Sequence, residues 1–273
     1  MTMPAPLQTI PTPFGDLAFR AERPETGMPL LLLQRFRSTL DDWDPDFLAR
    51  LAEGRRVIRF DNAGIGASGG TVPATVEGIA EVARAFMDAA GLARADILGW
   101  SLGGFVAQDL AHAAPERVRR LIIAGSGPGG VAEGPQSHPR VPEVMAHSQN
   151  TEEDFLFLFF TGTETGRAAG RAHLRRLAAF PERVPAVTGP AFLTQLRAIG
   201  GAAGLRERLG GLAMPVLVAN GVADVMIPAY RSYAIAQEAP DATLVLYPDA
   251  GHGFLFQHIA DFTAEVGRVL ADH

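Results

Sequence analysis

Short, continuous apolar runs recur along the chain and are separated by segments with helical periodicity. The runs are residues 30–33, 57–60, 96–98, 121–124, 216–219 and 243–247. Continuous hydrophobicity is typical of strands buried on both faces, as in a parallel sheet covered by helices. The alternation predicts an α/β fold with a mostly parallel central sheet flanked by helices.

Two of the intervening segments have a clear apolar stripe. Residues 75–90 and the last helix each place apolar side chains at helical spacing. These side chains are Val76, Ile79, Val82, Ala83 and Phe86 in the first, and Ile259, Phe262, Val266, Val269 and Leu270 in the second.

The strand pattern is interrupted between residues 127 and 212. Helical stretches at 151–160, 166–180 and 191–199 follow one another there, and no β-like run separates them. We predict one domain, residues 1–273, that carries a helical insertion over residues 130–204. A set of ordinary crossover helices is the alternative, but such connections are usually much shorter.

The segment Gly-Trp-Ser-Leu-Gly at 99–103 lies between an apolar run and a helical segment. A serine between two glycines on a strand-to-helix turn is typical of a nucleophile elbow, which exposes the hydroxyl at the carboxyl edge of the sheet. A turn of small residues with an incidental serine has the same spacing. The strand before it and the helix after it favour Ser101 as a nucleophile.

A serine nucleophile needs a base and an orienting carboxylate. His252 lies between two glycines directly after the run 243–247, and Asp224 follows the run 216–219. Both loops belong to the same carboxyl edge as Ser101. His252 as a turn residue and Asp224 as a helix cap are the alternatives. Asp249 is a rival acid, although three residues before His252 it is better placed to shape the turn.

These motifs resemble the α/β-hydrolase superfamily over nearly the whole chain, in its capped, serine-nucleophile branch of esterases, lactonases and haloperoxidases. The order Ser101, Asp224, His252 is the order of its catalytic triad. The loop at 60–68 is similar to the family's loop after its fourth strand, and the insertion resembles its cap. The resemblance implies an α/β-hydrolase fold with an inserted helical cap.

The loop after run 30–33 departs from the family pattern, which has His-Gly there. By position, the backbone N–H groups of Phe36 and Leu102 form the oxyanion hole that the resemblance implies. Arg35 stands where a small residue is expected. Arg35 or Arg37 reaches the substrate in one interpretation; in the other, both face solvent and pair with Asp41 or Asp42.

The apolar run at 155–160 is the candidate pocket wall. Phe157 and Phe160 are predicted to face the substrate, with core packing as an equal alternative. Trp100 either touches the acyl group or fills the core. The segment 125–130 matches G-x-G-x-x-G but does not open a helix, so we assign it no nucleotide site.

Composition restricts the partners. The chain has 273 residues, a net charge of −6 and no cysteine. No basic run indicates nucleic acid or an anionic membrane surface, and no residue cluster has metal-ligand spacing. The amino terminus lacks signal-peptide character. We therefore predict a cytoplasmic protein that acts on a small molecule, with no cofactor and no metal; the sequence does not predict an oligomeric state.

The predicted activity is hydrolysis of a carboxylic ester or lactone through an acyl-enzyme. Within the same fold, a cofactor-free haloperoxidase or perhydrolase and a C–C bond hydrolase are alternatives. A small-molecule receptor with a non-catalytic triad is an alternative of another class.

Overall fold

The computed structural model describes residues 5–22, 27–130, 133–180, 182–202 and 204–271. Residues 1–4, part of the amino-terminal prediction, and residues 131–132, 181 and 203 of the predicted insertion lie outside this part. Among the described residues, no helix combines the length and the apolar character needed to cross a membrane.

The described residues contain one eight-stranded sheet in the order β1-β2-β4-β3-β5-β6-β7-β8. Strand β2 pairs antiparallel with both β1 and β4, and all other neighbouring strands pair parallel. The strands are β1 Gln8–Thr12, β2 Gly15–Glu22, β3 Leu30–Leu33, β4 Val57–Phe60, β5 Ala95–Trp100, β6 Val118–Ala124, β7 Val216–Gly221 and β8 Ala242–Tyr247.

Ten α-helices accompany the sheet in the described part of the chain. They are α1 Pro45–Leu51, α2 Val76–Ala89, α3 Leu102–Ala113, α4 Val141–Met145, α5 Glu152–Phe159, α6 Glu164–Ala178, α7 Gly189–Gly200, α8 Ala229–Glu238, α9 Phe254–Gln257 and α10 Ile259–Leu270. Single-turn 3₁₀ segments precede α1 and β6, and a longer one precedes β7.

Consecutive leucines of β3 point to opposite faces of the sheet. Leu31 and Leu33 are buried with apolar side chains of α2 and α3, whereas Leu30 and Leu32 are buried with those of α1 and α10. Burial on both faces explains why this strand is apolar at every position. The sequence-based prediction of a parallel sheet between helices is confirmed.

All six predicted strands are present, and two more were missed. The missed strands β1 and β2 form the antiparallel edge, where β1 contains Pro11 and exposes most of its residues. Proline is tolerated on an edge strand because its missing N–H faces away from the ladder. The short, polar β1 therefore had no apolar run by which to be recognised.

The segment between β6 and β7 is helical. Its described residues contain α4–α7 and no strand, and we call these four helices the cap. Thr151, Thr163 and Thr188 cap α5, α6 and α7 by accepting backbone N–H bonds, which fixes where each helix begins. The bounds 130–204 stay a prediction, because the helices themselves span residues 141–200.

Candidate active site

Ser101 lies at the sharp turn between β5 and α3. Its φ of +56° is a conformation that a side chain with a Cβ rarely adopts. A Cβ at Gly99 would collide with the Gly103 carbonyl, and one at Gly103 would collide with the Leu33 carbonyl. The turn closes only because the residues two positions before and two positions after Ser101 are glycines, as the elbow pattern predicts.

Backbone and hydroxyl bonds hold this turn in place. The Ser101 N–H donates to the Ala124 carbonyl at 2.9 Å, and the Ser101 carbonyl accepts the Gly104 N–H at 2.8 Å. The Ser126 hydroxyl also donates to that carbonyl at 2.9 Å. Ser126, which sequence reasoning did not single out, thus ties the loop after β6 to the elbow.

His252 and Asp224 form a buried pair beside Ser101. The Nδ1 atom of His252 lies 2.7 Å from Oδ2 of Asp224, and both side chains are 0% exposed. The other carboxylate oxygen, Oδ1, accepts hydrogen bonds from the backbone N–H groups of Met226 and Ile227 at 2.8 and 2.9 Å. Since these two donors fix the carboxylate, Asp224 can orient the imidazole with Nδ1–H toward it.

The second nitrogen of His252 is available for chemistry. Its Nε2 is buried and has no hydrogen-bond partner among the described residues. His252 and Ser101 line the same small cavity. The loop is held from behind, because Trp100 Nε1 donates to the His252 carbonyl at 3.2 Å and Gly253 N–H donates to the Phe159 carbonyl at 2.6 Å.

Asp249, the rival acid, faces away from this pair. Its carboxylate accepts hydrogen bonds from the hydroxyl groups of Thr161 and Thr163 at 2.9–3.0 Å. It adopts a φ of +48° in the turn before the histidine. Asp249 therefore shapes the turn and connects it to the cap.

The loop after β3 lies at the same edge of the sheet. Among the described residues, neither the N–H of Phe36 nor that of Leu102 donates to another protein group. Both residues line the larger of two cavities at Ser101. N–H groups without an acceptor are the kind of donor that an oxyanion hole uses, and the assignment of these two stays a prediction.

Arg35 is folded back against its own loop. Its Nη1 donates to the Phe36 and Arg37 carbonyls at 2.8 and 3.1 Å, and its guanidinium lies over the rings of Trp100 and Phe159. Burial lowers the pKa of Arg35, an effect that the nearby charge of Asp42 partly offsets. Its Nε has no hydrogen-bond partner in the described chain.

Arg37 connects this loop to the cap. Its guanidinium donates to the carbonyls of Met145, His147 and Ser148, and its backbone N–H donates to Gln195 of α7 at 3.0 Å. The predicted alternative of pairing with Asp41 or Asp42 is wrong for Arg37. Asp41 pairs with Arg20 and Asp42 pairs with Arg183 instead.

Two cavities meet at Ser101. The larger, of about 550 Å³, is formed by Phe36, Leu102, Met145, Phe192, Leu196 and Met226 with their neighbours. The smaller, of about 30 Å³, is formed by Arg35, Asn150, Leu158, Phe159 and His252 with theirs. The glycine-rich segment 125–130 borders a third cavity of about 270 Å³ that shares Phe105 and Ile199 with the larger one.

Phe157 and Phe160 line neither cavity at Ser101. The Phe157 ring packs against His138 and under the Arg140 guanidinium. Phe160 is buried against Phe155 and His173. Leu158 and Phe159 of the same apolar run line the smaller cavity instead.

Trp100 fills the core behind the histidine. It is 1% exposed and its ring centroid lies 5.8 Å from that of His252. Of the four predicted pocket residues, only Arg35 lines a cavity that also contains Ser101. Apart from Phe36, Ser101 and Leu102, the residues that form the larger cavity were missed, because they come from helices and loops that are distant in sequence.

The described residues include no group of three or more His, Asp or Glu side chains that could hold a metal ion. The reactive groups on this sheet edge are a serine, a histidine, a carboxylate and free N–H groups. That set can perform acyl transfer by nucleophilic catalysis.

The family model for the alpha/beta hydrolase fold matches residues 29–259. This chain belongs to the α/β-hydrolase family. The pimeloyl-[acyl-carrier protein] methyl ester esterase of Pectobacterium carotovorum is 32% identical, over 87% of this chain and 92% of the relative. A protein of Azorhizobium caulinodans, provisionally named carbamate hydrolase RutD, is 28% identical over 88% and 90%.

The structure is similar to that of an alpha/beta hydrolase fold protein from Chitinophaga pinensis. The TM-score is 0.89 at 34% identity, and the match covers 98% of each chain. The likeness therefore includes the cap as well as the sheet.

Proposed function

We propose that this protein is a serine hydrolase that cleaves a carboxylic ester or lactone of a small, largely apolar substrate through an acyl-enzyme. The chain is a hydrolase that acts on ester bonds, as its esterase relative at 32% identity supports. The observation that carries the mechanism is the buried His252–Asp224 pair, whose free Nε2 borders the same cavity as the strained Ser101.

In this mechanism, Ser101 Oγ attacks the carbonyl carbon while His252 Nε2 takes the hydroxyl proton. The developing oxyanion accepts hydrogen bonds from the N–H groups of Phe36 and Leu102. His252 then gives the proton to the leaving alcohol, and the acyl group stays on Ser101. Water, deprotonated by the same nitrogen, releases the acid. Asp224 keeps the imidazole in orientation and stabilises its charged form.

The partner in this proposal is a small molecule, and no step uses a cofactor. A peracid-forming reaction and C–C bond hydrolysis use the same nucleophile and are separated by the products. A receptor on the same fold binds without turnover. The provisional name of the Azorhizobium relative makes a carbamate a further compound to examine.

The test compares the purified protein with its Ser101→Ala variant on methyl esters, a γ-lactone and a carbamate, following acid release by pH titration. We expect Ser101→Ala to lower kcat by about 10³-fold or more. A fluorophosphonate should add its mass to the native protein and to a surface control, Ser148→Ala, but not to Ser101→Ala.

Equal rates for the native protein and Ser101→Ala would overturn the acyl-enzyme mechanism. A ligand that raises Tm, together with no acid released from any compound, would support the receptor instead.

A further inference from the structure

The two cavities at Ser101 differ in volume, about 550 Å³ against about 30 Å³. Phe36, Ser101, Met145 and Met226 line both, so the nucleophile lies where they meet. An ester bound at Ser101 must place its acyl part in one cavity and its alcohol part in the other. The question is which part each cavity takes.

The base decides the orientation. His252 lines the smaller cavity and not the larger. In the acyl-enzyme mechanism, the histidine that takes the serine proton must deliver it to the oxygen of the leaving alcohol. That oxygen must therefore lie on the side of His252, and the alcohol carbon attached to it must occupy the smaller cavity.

One of the two proposed oxyanion donors agrees with this orientation, whereas Phe36 lines both cavities. Leu102, whose N–H is one proposed donor, lines the larger cavity and not the smaller. The carbonyl oxygen then lies toward the Leu102 N–H while its carbon faces Ser101 Oγ, and the acyl chain extends into the larger cavity. Its other walls are mainly apolar side chains from α3, α4 and α7, which suit a hydrocarbon chain.

Three side chains that wall the smaller cavity are held in place by contacts with other residues. Arg35 is tied to the carbonyls of Phe36 and Arg37, and Phe159 packs against the rings of Trp100 and His252. Asn150 donates to the Val144 carbonyl at 2.9 Å. One water needs roughly 10–15 Å³ of such cavity space, so the roughly 30 Å³ here admits two or three non-hydrogen atoms, which suits an alcohol of one or two carbons.

We propose that this site takes esters formed from a medium-chain apolar acid and a small alcohol, such as methyl or ethyl esters, and excludes esters of long alcohols. The proposal rests on the acyl-enzyme function proposed above. It adds the orientation of the substrate and the size of each of its two parts.

Methyl octanoate and heptyl acetate test the proposal directly, because they are isomers with equal carbon counts and opposite distributions of carbon around the ester. We expect kcat/KM for methyl octanoate to exceed that for heptyl acetate by about a hundredfold, since each misplaced methylene is costly in a fixed pocket. Acid release is followed for both, below their solubility limits.

Equal rates, or faster hydrolysis of heptyl acetate, would overturn the orientation while leaving the esterase intact, provided that Ser101→Ala abolishes both. Failure on both isomers with turnover of other esters would overturn the substrate class. No acid from any ester would instead contradict the proposed function.

A variant tests the acyl assignment separately. Leu196 is 44% exposed at the rim of the larger cavity, so Leu196→Trp should fold while narrowing that cavity. We expect kcat/KM for methyl octanoate to fall by about tenfold and that for methyl acetate to stay within about twofold. Leu246→Trp, 41% exposed on β8 and outside both cavities, is the matched control. An equal loss for both esters in Leu196→Trp would contradict the assignment.

Discussion

Ser101 and Asp224 are held by backbone geometry, whereas the cap residues at the larger cavity are held by side-chain packing. Ser101 lies at a strained turn that closes on glycines, and Asp224 is fixed by two backbone N–H groups. By contrast, Phe192 and Leu196 protrude from α7 and are partly exposed.

This difference separates two kinds of change. A change at the sheet edge alters the transition state that every substrate shares, so it should lower the rate for all of them. A change in the cap alters the contacts with one part of the substrate, so it should alter which substrate is preferred. Each of the following predictions tests that separation.

The largest effect is expected for Asp224→Asn. The amide can no longer stabilise the charged imidazole or enforce its tautomer, so kcat should fall by about 10⁴-fold for short and long esters alike. Asp249→Asn is the matched control, because it makes the same change in a carboxylate three residues from His252. We expect the control to keep kcat within about tenfold, since its partners are hydroxyl groups of the cap.

The measurement is kcat on methyl butyrate and methyl octanoate, with circular dichroism to confirm that both variants are folded. A severe loss in Asp249→Asn and a mild one in Asp224→Asn would show that the wrong acid has been assigned.

The sheet edge was predictable because each of its signals is local. The runs that became β5, β7 and β8 are each followed within a few residues by the elbow, Asp224 and His252. A parallel sheet brings such loops to one edge whatever the rest of the chain does. Phe36 was placed by the resemblance, not by any local pattern.

The cap surface could not be predicted in the same way. Residues 155–160 are apolar at every position, so periodicity does not indicate which face of α5 points to the site. The contact that fixes this face, from Gly253 N–H to the Phe159 carbonyl, joins residues 94 positions apart (253 − 159). The sequence pattern predicted the helix α5, but which face of α5 points to the site depends on packing against residues distant in sequence.

A smaller effect is expected at Arg37, which belongs to both regions. It follows Phe36, has a φ of +54°, and binds three carbonyls of the cap. Arg37→Gly keeps the positive φ without strain and removes the side chain with its guanidinium. We expect kcat to fall by about tenfold for all esters, less than the 10²–10³ of a removed oxyanion donor, because the Phe36 N–H is loosened rather than lost.

Arg140→Ala is the control for Arg37, since Arg140 is also a cap arginine over a phenylalanine ring but does not contact the loop after β3. Its kcat should stay within about twofold of the native value. If Arg37→Gly instead changes chain-length preference at constant kcat, then Arg37 acts as a cap residue and the separation fails at this position.

The smallest effect is expected in the cap, where Phe192 and Phe157 form a matched pair. Both are half-buried phenylalanines with an arginine guanidinium over the ring, Arg37 at 5.2 Å and Arg140 at 4.6 Å. Only Phe192 lines the larger cavity. Phe192→Ala should therefore lower the ratio of kcat/KM for methyl octanoate over methyl butyrate by about tenfold, whereas Phe157→Ala should leave it unchanged.

The ratio is the quantity to measure because Phe192 also contacts the Phe36 ring at 5.1 Å. Any disturbance of the loop after β3 slows the hydrolysis of both esters equally, so its effect cancels in the ratio of their kcat/KM values. Both variants should lower Tm, since each loses a packed aromatic ring, so Tm shows that the two substitutions are comparably disruptive. A shifted ratio in Phe157→Ala with none in Phe192→Ala would instead place the substrate against α5, which is one of the two interpretations left open by the sequence.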